Sequence, residues 1–284
     1  MAKEYIFLFP GQGAQYPGMG LDLFDAADAE TLKRGDITQI VITLVNLSAA
    51  AVLKAGGVLP GVCAGHSLGE YAALAASGII TAEDCLLLTA RRGELMHRAA
   101  ENGGMAAVIG LSSVEVEKAV GEWTDGGLRD LYVANLNSPL QTVVSGSDAA
   151  LAEAERRFSK AGARRFVRLA VSGPFHSPLM AGAAEKFADV LDGVKFSDPV
   201  VPFFSNIKGG QVTSGGEAKE LALRQICGTV RWLDEERAIA AAYPVAAVEA
   251  GPGRTLTGLW KDSGASAPCL PAGTAAAIAD ITKF

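Results

Sequence analysis

Histidine and cysteine, the residues that most often bind structural metals or form disulfides, are scarce in this chain. Its 284 residues include three histidines and four cysteines. The cysteines, at positions 63, 85, 227 and 269, show no C-x-x-C spacing, and a zinc site requires clustered cysteine and histidine ligands. We therefore expect no metal or redox cofactor, and we expect reduced cysteines in a cytoplasmic protein.

An excess of charge of one sign and a long apolar run are also missing. The formal net charge is −6, so the chain has no general attraction for nucleic acids. No uncharged apolar stretch reaches the roughly 18 residues of a membrane span. The longest candidate, residues 37–53, carries Thr, Gln, Asn and Ser and indicates a buried helix. We expect a protein without a secretion signal that binds neither nucleic acid nor membrane.

Apolar runs alternate with segments of helical pattern along most of the chain. Residues 5–9 form a continuous apolar run that ends at Pro10, which is typical of a strand buried on both faces of a parallel sheet. Residues 62–64, 201–204 and 245–248 have the same character. Helical patterns cover residues 37–55, 68–77, 82–100, 178–191, 218–227 and 233–242. This alternation predicts an α/β fold with a parallel sheet flanked by helices.

Residues 104–171 show a different order of predicted strands and helices. Their apolar patterns predict a strand, a helix, two strands, a helix and a final strand, which is the ferredoxin-like order β-α-β-β-α-β. Glycine-containing segments at 103–104 and 172–174 bound the region. We therefore predict a small domain at 104–171, inserted into a large α/β domain formed by residues 1–103 and 172–284.

The run Gly65-His66-Ser67-Leu68-Gly69-Glu70 places a serine between glycines at a predicted strand-to-helix turn. This pattern is typical of a nucleophile elbow, where the sharp turn leaves no room for side chains at the glycines. The hydroxyl is then exposed beside a helix N-terminus. Ser67 is the candidate nucleophile. The alternative is a tight strand–helix junction with a purely structural role.

A serine hydroxyl needs a base, because it is protonated at neutral pH. His66 adjoins Ser67, but neighbouring side chains on a sharp turn diverge. His97 falls within a helical pattern. His176 lies in a proline-bracketed loop near the predicted domain boundary, where a fixed pose is available. We therefore favour His176 as the base, and its alternative is a histidine satisfied by local hydrogen bonds.

Arg92 is the candidate receptor for an acidic group. The predicted helix after Ser67 runs about nine residues, and an antiparallel helix would bring Arg92 back by about 16 Å, to the level of the serine. A guanidinium at this place would bind a carboxylate in a bidentate manner. The alternative is a solvated helix arginine, for which the adjacent Arg91 is the natural control.

The loop Gly11-Gln12-Gly13-Ala14-Gln15 follows the first predicted strand. Its glycines could cradle a phosphate, but the loop is neither a dinucleotide-binding fingerprint nor a Walker loop. It could also supply a backbone N–H to an oxyanion, with a second donor at Leu68, or it could be an ordinary turn.

Together these motifs resemble those of the malonyl-CoA:acyl carrier protein transacylases and the related acyltransferase domains of fatty acid and polyketide synthases. The matching stretches span nearly the whole chain in the family's order, so the set is far more specific than any one motif. They are residues 9–15, 17–20, 65–71, 92–93 with 96, 135–139, 175–177, and 249–253 with 256.

The resemblance implies a hydrolase-like α/β core with an inserted, small ferredoxin-like α+β subdomain, and it implies roles for the catalytic residues. Ser67 would carry the acyl group. His176 would act as the base, with its ring oriented by the backbone carbonyl of Gln225. Backbone N–H groups of Gln12 and Leu68 would form the oxyanion hole.

The resemblance also implies the substrates. Arg92 would bind the free carboxylate of a malonyl group, Asn137 would line the site from the small domain, and Phe175 resembles the malonyl-selective version of its motif. The partners would be a CoA thioester and an acyl carrier protein, with no cofactor and a monomeric enzyme. One departure is the segment between residues 24 and 37, which is shorter than is usual in the family.

Other functions compete with this reading. A serine esterase or thioesterase would place a histidine near the C-terminus, whereas no histidine follows His176. A scaffold that only binds carrier proteins would not need Ser67, His176 and Arg92. A trans-acting acyltransferase of a polyketide pathway would share the chemistry of the fatty acid enzyme.

Overall fold

A computed structural model describes residues 3–16, 18–20, 35–100 and 103–283 of the chain. The shortened segment between residues 24 and 37 lies outside the described residues as far as residue 34. The strands are β1 (Lys3–Phe9), β2 (Val58–Gly65), β3 (Gly103–Ile109), β4 (Leu131–Ser138), β5 (Gln141–Ser147), β6 (Arg165–Arg168), β7 (Phe203–Ser205), β8 (Gly210–Val212), β9 (Ala247–Glu249) and β10 (Cys269–Pro271). The helices are α1 (Gly35–Ala55), α2 (Gly69–Ala76), α3 (Ala82–Arg98), α4 (Ser113–Asp125), α5 (Asp148–Lys160), α6 (Ala181–Asp192), α7 (Gly215–Arg224), α8 (Trp232–Ala242), α9 (Thr255–Asp262) and α10 (Ala275–Thr282).

The larger sheet has the strand order β10-β9-β1-β2-β7-β8. Its neighbouring strands run parallel except β7 and β8, which form an antiparallel hairpin at one edge. Residues 6–9 of β1 are fully buried. Their even-numbered side chains pack with Trp232 and Trp260, and their odd-numbered side chains pack with Leu53 and Tyr71 on the opposite face. The predicted parallel sheet with helices on both faces is confirmed.

The long helix α1 packs beside this sheet against α3 and β2. Ala49 and Leu53 of this helix are fully buried. Among the described residues, Ile37–Ala55 is the one helical stretch long and apolar enough to cross a membrane, and 56% of its most apolar window is buried inside the protein. Such burial is typical of a core helix, which is the interpretation that the polar residues of this stretch favour.

The second sheet has the strand order β4-β5-β3-β6 and is antiparallel throughout. With α4 and α5 in sequence between its strands, it has the ferredoxin-like arrangement that the sequence predicts. The two helices cover one face, where Val116, Leu151 and Phe158 form a separate apolar core. Met105 and Ala107 on β3 instead join the core of the larger sheet. The two sheets therefore pack against each other and define the region in which a ligand cavity can form.

The sequence pattern does not predict α9, β10 or α10. The two helices have eight residues each and the strand has three, so all are shorter than the 11–18 residues over which periodicity is read. The strand β10 ends in Pro271 and lies at the sheet edge, where a missing backbone N–H is tolerated. The predicted helix at 178–191 is divided into a 3-10 turn, Pro178–Met180, and α6.

Candidate active site

Ser67 lies at the turn between β2 and α2. Its backbone has a φ of 50°, in the left-handed region that residues other than glycine rarely adopt. A side chain at Gly65 would overlap the backbone of Gly69, and a side chain at Gly69 would overlap the carbonyl of Phe9. The two glycines therefore allow the turn to pack directly against β1 and the start of α2, as the G-x-S-x-G pattern predicts.

The hydroxyl of Ser67 contacts the ring of His176, with 2.7 Å between Oγ and Nε2. Nδ1 of His176 lies 2.8 Å from the backbone carbonyl of Gln225. Because a carbonyl oxygen can only accept, Nδ1 carries the ring proton and Nε2 accepts the hydroxyl proton. Burial, followed by the charge of Arg92, lowers the pKa of His176 to about 3. The imidazole is therefore neutral at pH 7, as a general base must be.

His176 resembles Ser67 in its backbone. Its φ is 57°, so both members of the hydrogen-bonded pair are in the left-handed region. Each conformation is held by the surrounding fold, and strained backbone of this kind concentrates at functional sites.

Arg92 is buried beneath this pair, with 1% of its surface exposed. Its Nη2 donates to Oγ of Ser67 at 3.3 Å and to Oε1 of Gln225 at 3.2 Å. Its Nη1 donates to Oε1 of Gln39 at 2.8 Å. The guanidinium lies 5.5 Å from the ring centre of Tyr71, within cation–π range, and burial lowers the pKa of Arg92. Helix α3 thus places Arg92 beside the serine.

The loop at Gln12 packs directly against the serine turn. A side chain at Gly11 would overlap the carbonyl of His66, so the close approach requires glycine. Within the described residues, no acceptor bonds to the backbone N–H groups of Gln12 and Leu68. Unpaired donors near a nucleophile are what an oxyanion hole requires.

A cavity of about 220 Å³ lies between the two sheets. Ser67, His176 and Gln12 line it from the larger sheet, and Phe175 contributes an apolar part of the same wall. Asn137 lines it from β4 of the second sheet. Arg92 is not part of the cavity wall and reaches it only through its contact with Ser67.

The neighbouring candidates have other environments. His66 lines the same cavity, but its Nε2 lies 2.8 Å from Oδ1 of Asn137, so this ring bonds to Asn137 and not to the serine hydroxyl. His97 lines a groove on the outer side of α3. Arg91 is exposed and pairs with Glu94 at 2.9 Å. The described residues include no group of three histidine, cysteine or acidic side chains that could hold a metal ion.

Asn206 supports the serine turn from behind, and the sequence analysis missed it. Its Oδ1 accepts the backbone N–H of Ser67 at 2.8 Å. Its Nδ2 donates to the carbonyl of Gly65 at 2.8 Å and to Oε1 of Glu235 at 2.7 Å. Asn206 directly follows β7, which pairs in parallel with β2. A polar residue at the carboxyl end of a predicted parallel strand was the signal that could have found it.

Glu70 and the side chain of Gln225 extend this support. Nε2 of Gln225 donates to the carbonyl of Ser67 at 2.9 Å and to Oε2 of Glu70 at 3.0 Å. Glu70 also accepts from the backbone of Asn206 and the hydroxyl of Ser205. Burial raises the pKa of Glu70 to about 7, because desolvation of the carboxylate outweighs these hydrogen bonds. The serine turn therefore rests on a buried polar network.

Comparison with known proteins gives matches over most of the chain. The sequence profile of the acyl transferase domain family matches residues 22–279. A malonyl CoA-acyl carrier protein transacylase of Bacillus subtilis is 37% identical over 287 aligned residues, which cover 91% of this chain and 90% of that protein.

Solved structures give the same result for the fold. The malonyl CoA-acyl carrier protein transacylase of Coxiella burnetii has a TM-score of 0.93 at 29% identity, and the match covers 100% of this chain and 98% of that one. A malonyl-transacylase in complex with its type II polyketide synthase acyl-carrier protein has a TM-score of 0.92 at 30% identity, with 99% of both chains covered. Both sheets and the cavity between them fall within these matches.

Proposed function

This chain belongs to the acyl transferase domain family, and from that premise we propose that it transfers a malonyl group from malonyl-CoA to the phosphopantetheine thiol of an acyl carrier protein. One observation carries the proposal: a nucleophile with a neutral base, Ser67 and His176, stands at a cavity beside the buried cation of Arg92. The activity named for the similar transacylases of known structure supports the choice of substrates.

In the first half-reaction, Oγ of Ser67 attacks the thioester carbonyl of malonyl-CoA and its proton passes to Nε2 of His176. Backbone N–H groups of Gln12 and Leu68 stabilise the oxyanion, and one such donor contributes about 2.7–4 kcal/mol to lowering a barrier. The carbon–sulfur bond then breaks, and the CoA thiolate takes the proton from His176. The product is a malonyl ester of Ser67 and free CoA.

In the second half-reaction, His176 takes the proton of the phosphopantetheine thiol. The thiolate attacks the ester carbonyl through the same oxyanion hole, and Oγ of Ser67 leaves with the proton held by His176. The enzyme returns to its starting state, and the covalent intermediate requires ping-pong kinetics. With its pKa lowered to about 3, His176 is neutral at neutral pH and has Nε2 free to accept a proton at the start of each half-reaction.

Three residues select the acyl group in this proposal. Arg92 binds the free carboxylate of the malonyl group, since its Nη2 already lies 3.3 Å from the oxygen that carries the ester. Asn137 and Phe175 shape the cavity around the acyl chain.

The Gln225 carbonyl keeps the His176 ring in its productive tautomer.

The proposal also covers the domain organisation of the chain and the cellular location of the reaction. We treat residues 104–171 as a small domain and residues 1–103 with 172–284 as a large one, and the two separate sheets support this division. The substrates are a CoA thioester and an acyl carrier protein, and we propose that the reaction takes place in the cytoplasm of a cell that makes fatty acids or polyketides. The mechanism needs a single copy of the chain and no cofactor.

The experiment is a mass measurement on the intact protein after addition of malonyl-CoA. One malonyl adduct is expected on the wild-type chain and none on Ser67→Ala, and a holo acyl carrier protein should then remove the adduct. Carrier proteins from fatty acid and polyketide systems should be compared. Rapid loss of the adduct to water without a carrier protein would instead indicate a thioesterase, and absence of any adduct would indicate a non-catalytic scaffold.

A further inference from the structure

We infer that Gln39 determines specificity for acyl groups with a free carboxylate, because its neutral amide holds the Arg92 guanidinium in place without neutralising its charge. The inference rests on the proposed function and deepens it. It assigns the choice between charged and uncharged acyl groups to a residue on α1 that does not line the cavity.

The hydrogen bonds fix the orientation of this amide. Gln39 is buried, with 1% of its surface exposed. Arginine has only donors, so the atom facing Nη1 of Arg92 at 2.8 Å must be the amide oxygen of Gln39. The amide nitrogen then faces Oε1 of Gln12 at 3.2 Å. Gln39 therefore links the residue proposed to bind the carboxylate with the loop proposed to supply an oxyanion donor.

In the described part of the chain, the acceptors that bond to Arg92 are neutral. They are the amide oxygens of Gln39 and Gln225 and the hydroxyls of Ser67 and Tyr71. Among the described residues, no carboxylate forms an ion pair with Arg92. Glu70 lies near enough to interact with its charge, but the Glu70 oxygens accept hydrogen bonds from other residues.

A buried cation without a bonded anion is an unusual arrangement. Buried charges are normally paired, because desolvation of an isolated charge is costly. Amide oxygens accept from Nη1 and Nη2 of Arg92, and its Nε has no partner among the described residues, so no bonded anion compensates the positive charge. A carboxylate that enters with the substrate would complete the ion pair, so the fold keeps the guanidinium positioned beside Ser67 and without a bonded anion.

Gln39→Glu is therefore the decisive variant. Glutamate is nearly isosteric with glutamine and would place a carboxylate about 2.8 Å from Nη1. The ion pair with Arg92 would then be complete before substrate binds, and a malonyl carboxylate would meet a neutralised site. An acetyl group has no carboxylate and would lose nothing. The Gln12 amide can rotate to donate to the new carboxylate, which keeps that contact.

The test compares four proteins by the rate at which Ser67 is acylated by malonyl-CoA and by acetyl-CoA, read from intact mass in single turnovers. They are the wild type, Gln39→Glu, Gln39→Met, and Gln211→Glu, a control with the same charge change at an exposed position on β8. Thermal unfolding of each protein shows whether it is folded.

For Gln39→Glu we expect the malonyl-to-acetyl ratio of kcat/KM to fall by about 30-fold or more, as for loss of a buried charge partner. The acetyl rate should stay within about threefold. Gln39→Met removes the hydrogen bonds to Arg92 and to Gln12 but leaves the charge of Arg92, so its ratio should fall only about 3- to 10-fold. Gln211→Glu should behave as the wild type.

An equal loss for both substrates in Gln39→Glu would overturn the inference, since that result indicates a merely structural role. An unchanged ratio would overturn it as well. If Gln39→Glu does not fold, Gln39→Met provides the test, and an unchanged malonyl-to-acetyl ratio of kcat/KM in that variant would overturn the inference. Failure of the wild type to form a malonyl adduct would instead contradict the proposed function, and that result is obtained before any variant is measured.

Discussion

Replacing Arg92 with methionine should convert the enzyme from a malonyl to an acetyl transferase. Methionine retains a long apolar stem and removes the guanidinium. In the wild type, that guanidinium is buried and its Nη2 lies 3.3 Å from the oxygen that would carry the acyl group. The substitution therefore deletes the cation closest to the reacting centre while leaving Ser67 and His176 unchanged.

The expected magnitude follows from this geometry. At about 4 Å and an effective dielectric constant of about 20, two unit charges attract by about 4 kcal/mol. Allowing for desolvation of the substrate carboxylate, loss of a buried charge partner costs about 2–5 kcal/mol. At 1.36 kcal/mol per tenfold change in rate, malonyl kcat/KM should fall by roughly 30- to 5,000-fold. The acetyl rate should stay level or rise, because acetyl has no carboxylate to bind.

The assay is the rate of acyl-enzyme formation with malonyl-CoA and acetyl-CoA, with Arg91→Ala as control. Arg91 is on the same helix, but it is exposed and pairs with Glu94, so its removal should change neither rate by more than about twofold, as expected for a surface ion pair. Arg92→Met also leaves the amide oxygens of Gln39 and Gln225 without a donor, so thermal unfolding must be followed. Equal loss of malonyl and acetyl transfer in a folded Arg92→Met protein would refute the reasoning.

Three further outcomes are expected. The acid limb of the pH profile of the acylation rate should lie well below pH 6.5, because His176 with a pKa of about 3 stays neutral there. Arg92→Met should move that limb to higher pH, because the arginine charge lowers the pKa of His176. The contribution of His176 to the free energy of unfolding should fall as pH drops from 6.5 towards 3, because only the unfolded chain protonates this histidine in that range. Chemical denaturation across the range should therefore show that His176→Gln gains stability relative to the wild type as pH falls. Asn206→Ala should slow malonyl and acetyl transfer alike, by about tenfold or more. The backbone N–H of Ser67 loses its acceptor, and an unpaired buried donor costs about 1–3 kcal/mol. A selective effect on one acyl group would contradict the role assigned to Asn206.

Local rules were sufficient for the features that depend on a few adjacent residues. The apolar run at 5–9 became a strand covered on both faces because residues 6–9 have no polar side chain to face water. The glycines around Ser67 predicted the elbow because no side chain fits there. Arg92 was placed beside the serine by counting helical rise along two antiparallel helices. Each of these arguments needs only geometry within about thirty residues.

Long-range polar contacts were beyond such rules. Asn206 and Gln39 are amides in segments whose patterns mark a strand end and an apolar helix, and nothing local indicates that they bond to Ser67 and Arg92. The Gln225 carbonyl came from family resemblance rather than from spacing. The elements after residue 254 were missed because their helices and strand are too short to show a period.

The left-handed backbone of Ser67 and His176 has a consequence for how this protein can change over generations. Each such residue costs of the order of 1–3 kcal/mol that the rest of the fold must offset. A glycine at position 67 would adopt the same φ freely, whereas a glycine at position 176 would leave the buried space of the imidazole empty. Directed selection for heat resistance alone should therefore replace the nucleophile before it replaces the base.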